Sequence, residues 1–69
     1  MNKIKAVLDE KGIKQTWLTE RLNKSYNTVN SYVQNRRQPS LEDLYKIAEI
    51  LNVSVTDLLI DNQNKDDRS

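Results

Sequence analysis

NKSYNTVNSYVQNRRQPS, residues 23–40, is crowded with short hydrogen-bonding side chains, and its few apolar residues have helical spacing. Val29, Tyr32 and Val33 supply one stripe that can dock on a core, with Tyr26 at its edge. At about 100° per residue, Asn27, Asn30, Ser31 and Gln34 gather on a second face. Ser25 is placed to cap the start of this helix, expected over about residues 26 to 34. Arg36 and Arg37 follow it directly, and Pro39 stops the segment. A face so polar suits water, and it suits the edges of DNA bases equally well.

Working outward, a shorter helix is expected from about Gln15 to Leu22, with Leu18 and Leu22 inward. It stops at Asn23, which tolerates the left-handed conformation. Only two or three residues then separate two helices. Before them, Ile4, Val7 and Leu8 have the i, i+3, i+4 spacing of an amphipathic helix over about residues 2 to 11, ended by Gly12. After them, Ser40 with Asp43 three positions on has the form of a capping box. It opens a fourth helix with Leu44, Ile47, Ala48 and Leu51 on one face, closed by Asn52. Ser54 and Asp57 repeat the signal ahead of a short fifth helix carrying Val55, Leu58 and Leu59. The expected domain is therefore all-α, a compact five-helix unit over residues 1–60. From 61 to 69 the sequence DNQNKDDRS has no apolar residue, and a disordered polar tail is expected.

A chain of 69 residues supports one small core and leaves little room for a second function or an effector domain. The absence of cysteine and histidine removes disulfides, thiolate and imidazole metal sites, and nucleophiles that depend on them. Glu42, Asp43 and Asp57 are accounted for at helix starts, where the dipole favours acids, and no carboxylate pair calls for a catalytic reading. We expect no enzyme activity, no cofactor, no metal and no small-molecule ligand. No apolar run approaches the roughly 18 residues of a membrane span, and a cytoplasmic protein with no membrane association is expected. Trp17, Tyr32 and Tyr45 are read as core or interface residues.

The net charge of +1 conceals a polarised chain. Residues 14–38 carry +4 and residues 39–69 carry −4. The middle third should be drawn to a polyanion.

Two short helices joined by a tight turn, the second capped by serine and polar outside, meet the requirements of a helix-turn-helix. From Ile4 to Leu59 the chain resembles the Cro/C1-type, or XRE-family, helix-turn-helix proteins, which include the DNA-binding domains of lambdoid phage repressors. The resemblance rests on Lys11-Gly12-Ile13, Gln15 with Leu18, Ser25, Thr28-Val29, Arg37 with Pro39-Ser40-Leu41, and Ile47-Ala48 through Leu51-Asn52-Val53-Ser54 to Leu58-Leu59. It implies a lambda-repressor-like fold with its helix-turn-helix at about residues 15–34. There are departures: Thr19 stands for the usual alanine, Asn23 for the turn glycine, and Lys14 for a Ser or Thr cap. Leu8 and Val33 replace an arginine and glutamate that many members pair.

The resemblance places Tyr26, Asn27, Thr28 and Ser31 at base-reading positions. Asn27 can pair with N6 and N7 of adenine, and Thr28 can offer a hydroxyl and a methyl to thymine. Ser31 specifies less, and Tyr26 can alternatively cover the core edge. Phosphate binding is expected of Gln15, Lys24, Ser25, Asn30, Gln34, Asn35, Arg36 and Arg37, against solvation or local capping as the plainer alternative. The implied function is a sequence-specific DNA-binding transcriptional regulator, most simply a repressor, acting on double-stranded DNA as a homodimer through Val55, Leu59 and Ile60. The alternative is a protein-interaction module, such as an antitoxin with autoregulatory DNA binding.

Overall fold

A computed structural model describes residues 1–59. Four α-helices follow one another: α1 (Ile4–Lys11), α2 (Gln15–Leu22), α3 (Tyr26–Val33) and α4 (Leu41–Leu51), then a single 3₁₀ turn (Val55–Leu58). Ile60 and the expected polar tail lie outside the described residues.

Every element contributes to one core. α1 gives Ile4, Val7 and Leu8, α2 gives Leu18 and Leu22, and α3 gives Val29, Tyr32 and Val33. α4 adds Leu44, Ile47, Ala48 and Leu51, and the 3₁₀ turn adds Leu58. α4 packs on α2 and on the 3₁₀ turn, α2 packs on α3, and α1 packs on α3 and the same turn. Leu8 and Val33, at the two departures from the usual ion pair, are both buried members of this core. Apolar side chains there avoid the desolvation that a buried pair of charges would incur.

Three helices end as their sequences indicate. Gly12, Asn23 and Asn52 adopt left-handed φ of 68°, 59° and 58°, and each backbone N–H turns back to carbonyls of the helix it closes. Ser25 and Ser40 cap α3 and α4 by accepting the N–H of Thr28 and Asp43.

The structure corrects the sequence reading in three places. α1 begins at Ile4 rather than near residue 2, because Asn2 forms an antiparallel bridge with Leu59 and Lys3 N–H donates to the Leu58 carbonyl at 2.8 Å. The fifth helix is one 3₁₀ turn, although Asp57 does accept the Ser54 N–H at 3.1 Å as the capping pattern predicts. Asp43 does not complete a reciprocal box with Ser40; its carboxylate points inward, toward Tyr32 and Lys24. Of the residues read as core or interface, Trp17 and Tyr45 do not lie in the core. Trp17 is 37% exposed under the Arg21 guanidinium, 4.6 Å from the ring centre, and Tyr45 is 58% exposed. Tyr32 alone of the three is buried.

Among the described residues, no helix is long and apolar enough to cross a membrane.

Candidate nucleic-acid interface

The turn between α2 and α3 fixes how α3 is presented. Asn23 closes α2 by donating its N–H toward Thr19 and Glu20 carbonyls at 3.1 and 3.3 Å, and Ser25 is extended, with φ −70° and ψ 154°. Ser25 Oγ accepts the Thr28 N–H at 3.1 Å and donates to Thr28 Oγ1 at 2.9 Å. Thr28 Oγ1 is therefore an acceptor inside the cap, so its own proton remains available to another acceptor. Ser31 Oγ donates to the Thr28 carbonyl at 2.7 Å and keeps lone pairs for an outside donor. The cap thus orients Thr28, and the Thr28 carbonyl orients Ser31, before any ligand arrives.

Asn27 and Gln34 are exposed, and Thr28, Asn30 and Ser31 are partly buried along the same edge of α3. Tyr26 is 51% exposed, so it faces outward more than it covers the core. Gln15, in the first turn of α2, donates from Nε2 to Asn30 Oδ1 at 3.3 Å. That contact ties the start of α2 to the middle of α3 and uses one polar group of each. Lys14, at the cap position of α2, makes no side-chain capping bond. Its carbonyl takes the N–H groups of Trp17 and Leu18, which leaves the amides of Gln15 and Thr16 at the positive end of the helix dipole for an acceptor from outside.

Beyond α3 the chain turns through Asn35, at φ 61°. The Arg36 and Arg37 N–H groups both donate to the Ser31 carbonyl, at 2.9 and 3.2 Å, so a hydrogen-bonded cap carries the two arginines. Arg36 and Arg37 are exposed, and the Arg37 guanidinium lies 5.9 Å from the centre of the Tyr32 ring. Asn35 itself is spent internally, on Asn2 and Gln38. Lys24 is also engaged: its Nζ lies 3.5 Å from Asp43 Oδ2.

A model of the family described as "Helix-turn-helix" matches residues 4–58. The chain belongs to the helix-turn-helix family, in its Cro/C1 (XRE) type. Among solved structures it is similar to one described as "Crystal structure of a putative DNA-binding protein from Bacteroides fragilis", with 46% sequence identity and a TM-score of 0.81. That match covers 84% of this chain and 94% of the other. No curated protein matches the sequence. In the helix-turn-helix, α2 and α3 are the paired helices and α3 is the second, outward-facing one.

Two features of this helix-turn-helix escaped the sequence reading. Tyr32 Oη donates to Asp43 Oδ2 at 2.9 Å in the buried seam between α3 and α4. Burial pushes the Tyr32 phenol pKa up, and hydrogen bonding and proximity to the Asp43 carboxylate push the same way, while Arg37 pulls it partly back. The second feature is Asn2, which is 5% exposed and reaches the loop after α3 from the other end of the chain. The left-handed asparagine at 35 was the one local signal available, since Asn23 and Asn52 close helices in the same way.

Proposed function

We propose that this protein is a non-enzymatic, sequence-specific DNA-binding transcriptional regulator that lays α3 in the major groove of double-stranded DNA. The observation that carries this reading is the outer edge of α3, where exposed Asn27 stands beside Thr28, oriented by the Ser25 cap, and Ser31, oriented by the Thr28 carbonyl. In this reading Asn27 and Thr28 read bases, with Ser31 and Tyr26 at the margins of the same site. The amides at the start of α2 take one phosphate with Gln15, and the Arg36-Arg37 loop takes another. Lys24 adds positive potential, reduced by its pairing with Asp43. Ser25 and Asn30 act through the side chains they hold, and Gln34 lies nearer the backbone than the bases.

A single module of this size makes a small interface, so useful specificity calls for two copies on half-sites about 34 Å apart. Of the three residues named for a dimer contact, Val55 packs against the core, Leu59 is 43% exposed, and Ile60 lies outside the described residues. A broader face favours the second copy. Leu59 and Met1 line a shallow cavity with Asn2, Gln38, Pro39 and Leu44, and Leu41 and Tyr45, one turn apart on α4, are exposed apolar side chains of the same helix as Leu44. These exposed side chains offer on the order of 500 Å² per copy, so a pair would bury about 1,000 Å², the lower end for a specific interface. Occlusion of a promoter in the cytoplasm is the simplest action for such a dimer.

Selection of bound sequences from a random duplex pool tests the proposal, with Asn27→Ala and Arg37→Ala run beside the parent at stated salt. The expected outcome is an inverted repeat that loses one base preference with Asn27→Ala and only overall affinity with Arg37→Ala. Enrichment of no sequence at all would sink the regulator reading and turn attention to a protein partner on the apolar face.

A further inference from the structure

Residues 1–3 cross the end of α3, and Asn2 is buried there with every polar group engaged. Its backbone N–H donates to Asn35 Oδ1 at 2.7 Å, and its carbonyl accepts from Asn35 Nδ2 at 3.1 Å. Its side-chain amide donates to the Tyr32 carbonyl and to Gln38 Oε1, both at 3.0 Å, while its Oδ1 accepts the Ile4 N–H at 3.0 Å. Gln38 Nε2 returns to Asn35 Oδ1 at 3.2 Å. Asn2, Asn35 and Gln38 therefore close a ring of hydrogen bonds, and the two residues enclosed between its members are Arg36 and Arg37.

The cap of α3 does not require this ring. The Ser31 carbonyl already takes the Arg36 and Arg37 N–H groups, and Tyr32 and Val33 anchor the end of α3 in the core. The ring's distinct effect is on the loop. It ties residues 35 and 38 to a strap that is itself anchored by the Lys3 to Leu58 bond, so the backbone bearing both arginines is fixed in advance. A loop ordered beforehand loses less conformational entropy when its side chains are immobilised on a ligand.

We propose that Asn2, through its side-chain bonds to Gln38 and the Tyr32 carbonyl beside the backbone pairing with the Asn35 side chain, is a positioning residue that holds Arg36 and Arg37 ready for duplex phosphates. This rests on the DNA-binding reading above. Asn2 touches no DNA in this scheme and adds nothing to base choice.

The test uses the full chain and the best duplex from the selection. Affinity is measured by fluorescence anisotropy at 10 °C, with circular dichroism establishing that each protein is folded. Asn2→Ala removes the amide bonds to Gln38 and the Tyr32 carbonyl and the acceptor for the Ile4 N–H, and leaves the backbone pairing with Asn35 in place. Asn35→Gly removes the side-chain partner of the Asn2 backbone and of Gln38 while keeping the left-handed backbone available. Each should weaken binding about 5- to 20-fold, from the cost of ordering two long side chains on a looser loop, with base preferences unchanged. In an Arg36→Ala/Arg37→Ala background the same substitutions should change affinity by less than about twofold, because the groups they position are gone. A purely structural role would lower thermal stability and leave the affinity of the folded protein alone. If the parent binds and both variants match it, the positioning role is wrong while DNA binding stands. If the weakening persists in full without the arginines, the ring acts elsewhere and the proposal fails. If the parent binds no duplex, the DNA-binding reading falls, and this inference with it.

Discussion

Tyr32→Phe isolates one hydrogen bond in the seam between α3 and α4. Tyr32 is 4% exposed and Asp43 6%, and the hydroxyl donates to the carboxylate at 2.9 Å. Asp43 has Lys24 as a second partner at 3.5 Å, but that side chain is 38% exposed, so the pair contributes at most about 1 kcal/mol. A buried bond to an ionised acceptor contributes about 1.5 to 3 kcal/mol, and its loss leaves the carboxylate short of a donor. Tyr32→Phe should therefore cost about 2 kcal/mol, lowering the thermal midpoint by roughly 8 to 16 °C in a domain of this size. Asp43→Asn keeps an acceptor for the hydroxyl but loses the ion pair and the charge assistance of the bond, so about 1 to 2 kcal/mol is expected. Replacing both groups, as Tyr32→Phe/Asp43→Leu, leaves no unmatched polar atom. Its cost should fall short of the summed costs of Tyr32→Phe and Asp43→Leu made singly by at least about 1 kcal/mol. Urea unfolding followed by circular dichroism gives all the values. A Tyr32→Phe protein within about 0.5 kcal/mol of the parent, or a strictly additive double variant, would refute the reasoning.

The raised Tyr32 phenol adds a pH prediction. The folded state holds that proton more tightly than the unfolded chain, so the stability involved is complete below pH 10.0 and is lost as pH rises from there through the folded value. Urea midpoints taken across alkaline pH should fall for the parent and fall less for Tyr32→Phe. At Gly12 an added Cβ would meet nothing within 4 Å, so Gly12→Ala pays only for a φ of +68°, and thermal unfolding should show a loss of about 1 kcal/mol. Leu41→Glu and Tyr45→Glu place charge on the apolar face of α4 without touching the core. Sedimentation should show the parent as a dimer and each variant shifted toward monomer, with weaker binding to a two-half-site duplex but little change on a single half-site.

Much of this fold was legible because its signals are local. Leu18 and Leu22, Val29 with Tyr32 and Val33, and the α4 series Leu44, Ile47, Ala48 and Leu51 all lie inward as their spacing predicts. Ser25, Ser40, Asn23 and Asn52 mark helix ends with side-chain chemistry that acts within a few residues. Trp17 lies outside the core for a reason visible in helix geometry. Neighbouring positions stand about 100° apart on a helix, so a residue beside Leu18 does not share its stripe.

What stayed hidden is long-range polar pairing. Asn2 meets partners 30 to 36 residues away, and Tyr32 meets Asp43 from a different helix. No periodicity announces such contacts, and Asp43 already had a local explanation at the start of α4. The candidate interface shows the same division. The outward residues of α3 follow from the helical wheel, whereas the engagement of Lys24 with Asp43, of Gln15 with Asn30 and of Asn35 with Asn2 required the packed structure.

The central claim is that α3 reads bases in the major groove, with Asn27 as the principal reader. It is tested most directly by replacing the adenine that Asn27 selects with 7-deazaadenine, which removes the N7 acceptor from the major groove and leaves the minor groove intact. The parent should lose roughly 5- to 150-fold in affinity on that duplex, the equivalent of about 1 to 3 kcal/mol, and Asn27→Ala should be indifferent to the change. Equal loss by both proteins, or none by the parent, would contradict the account.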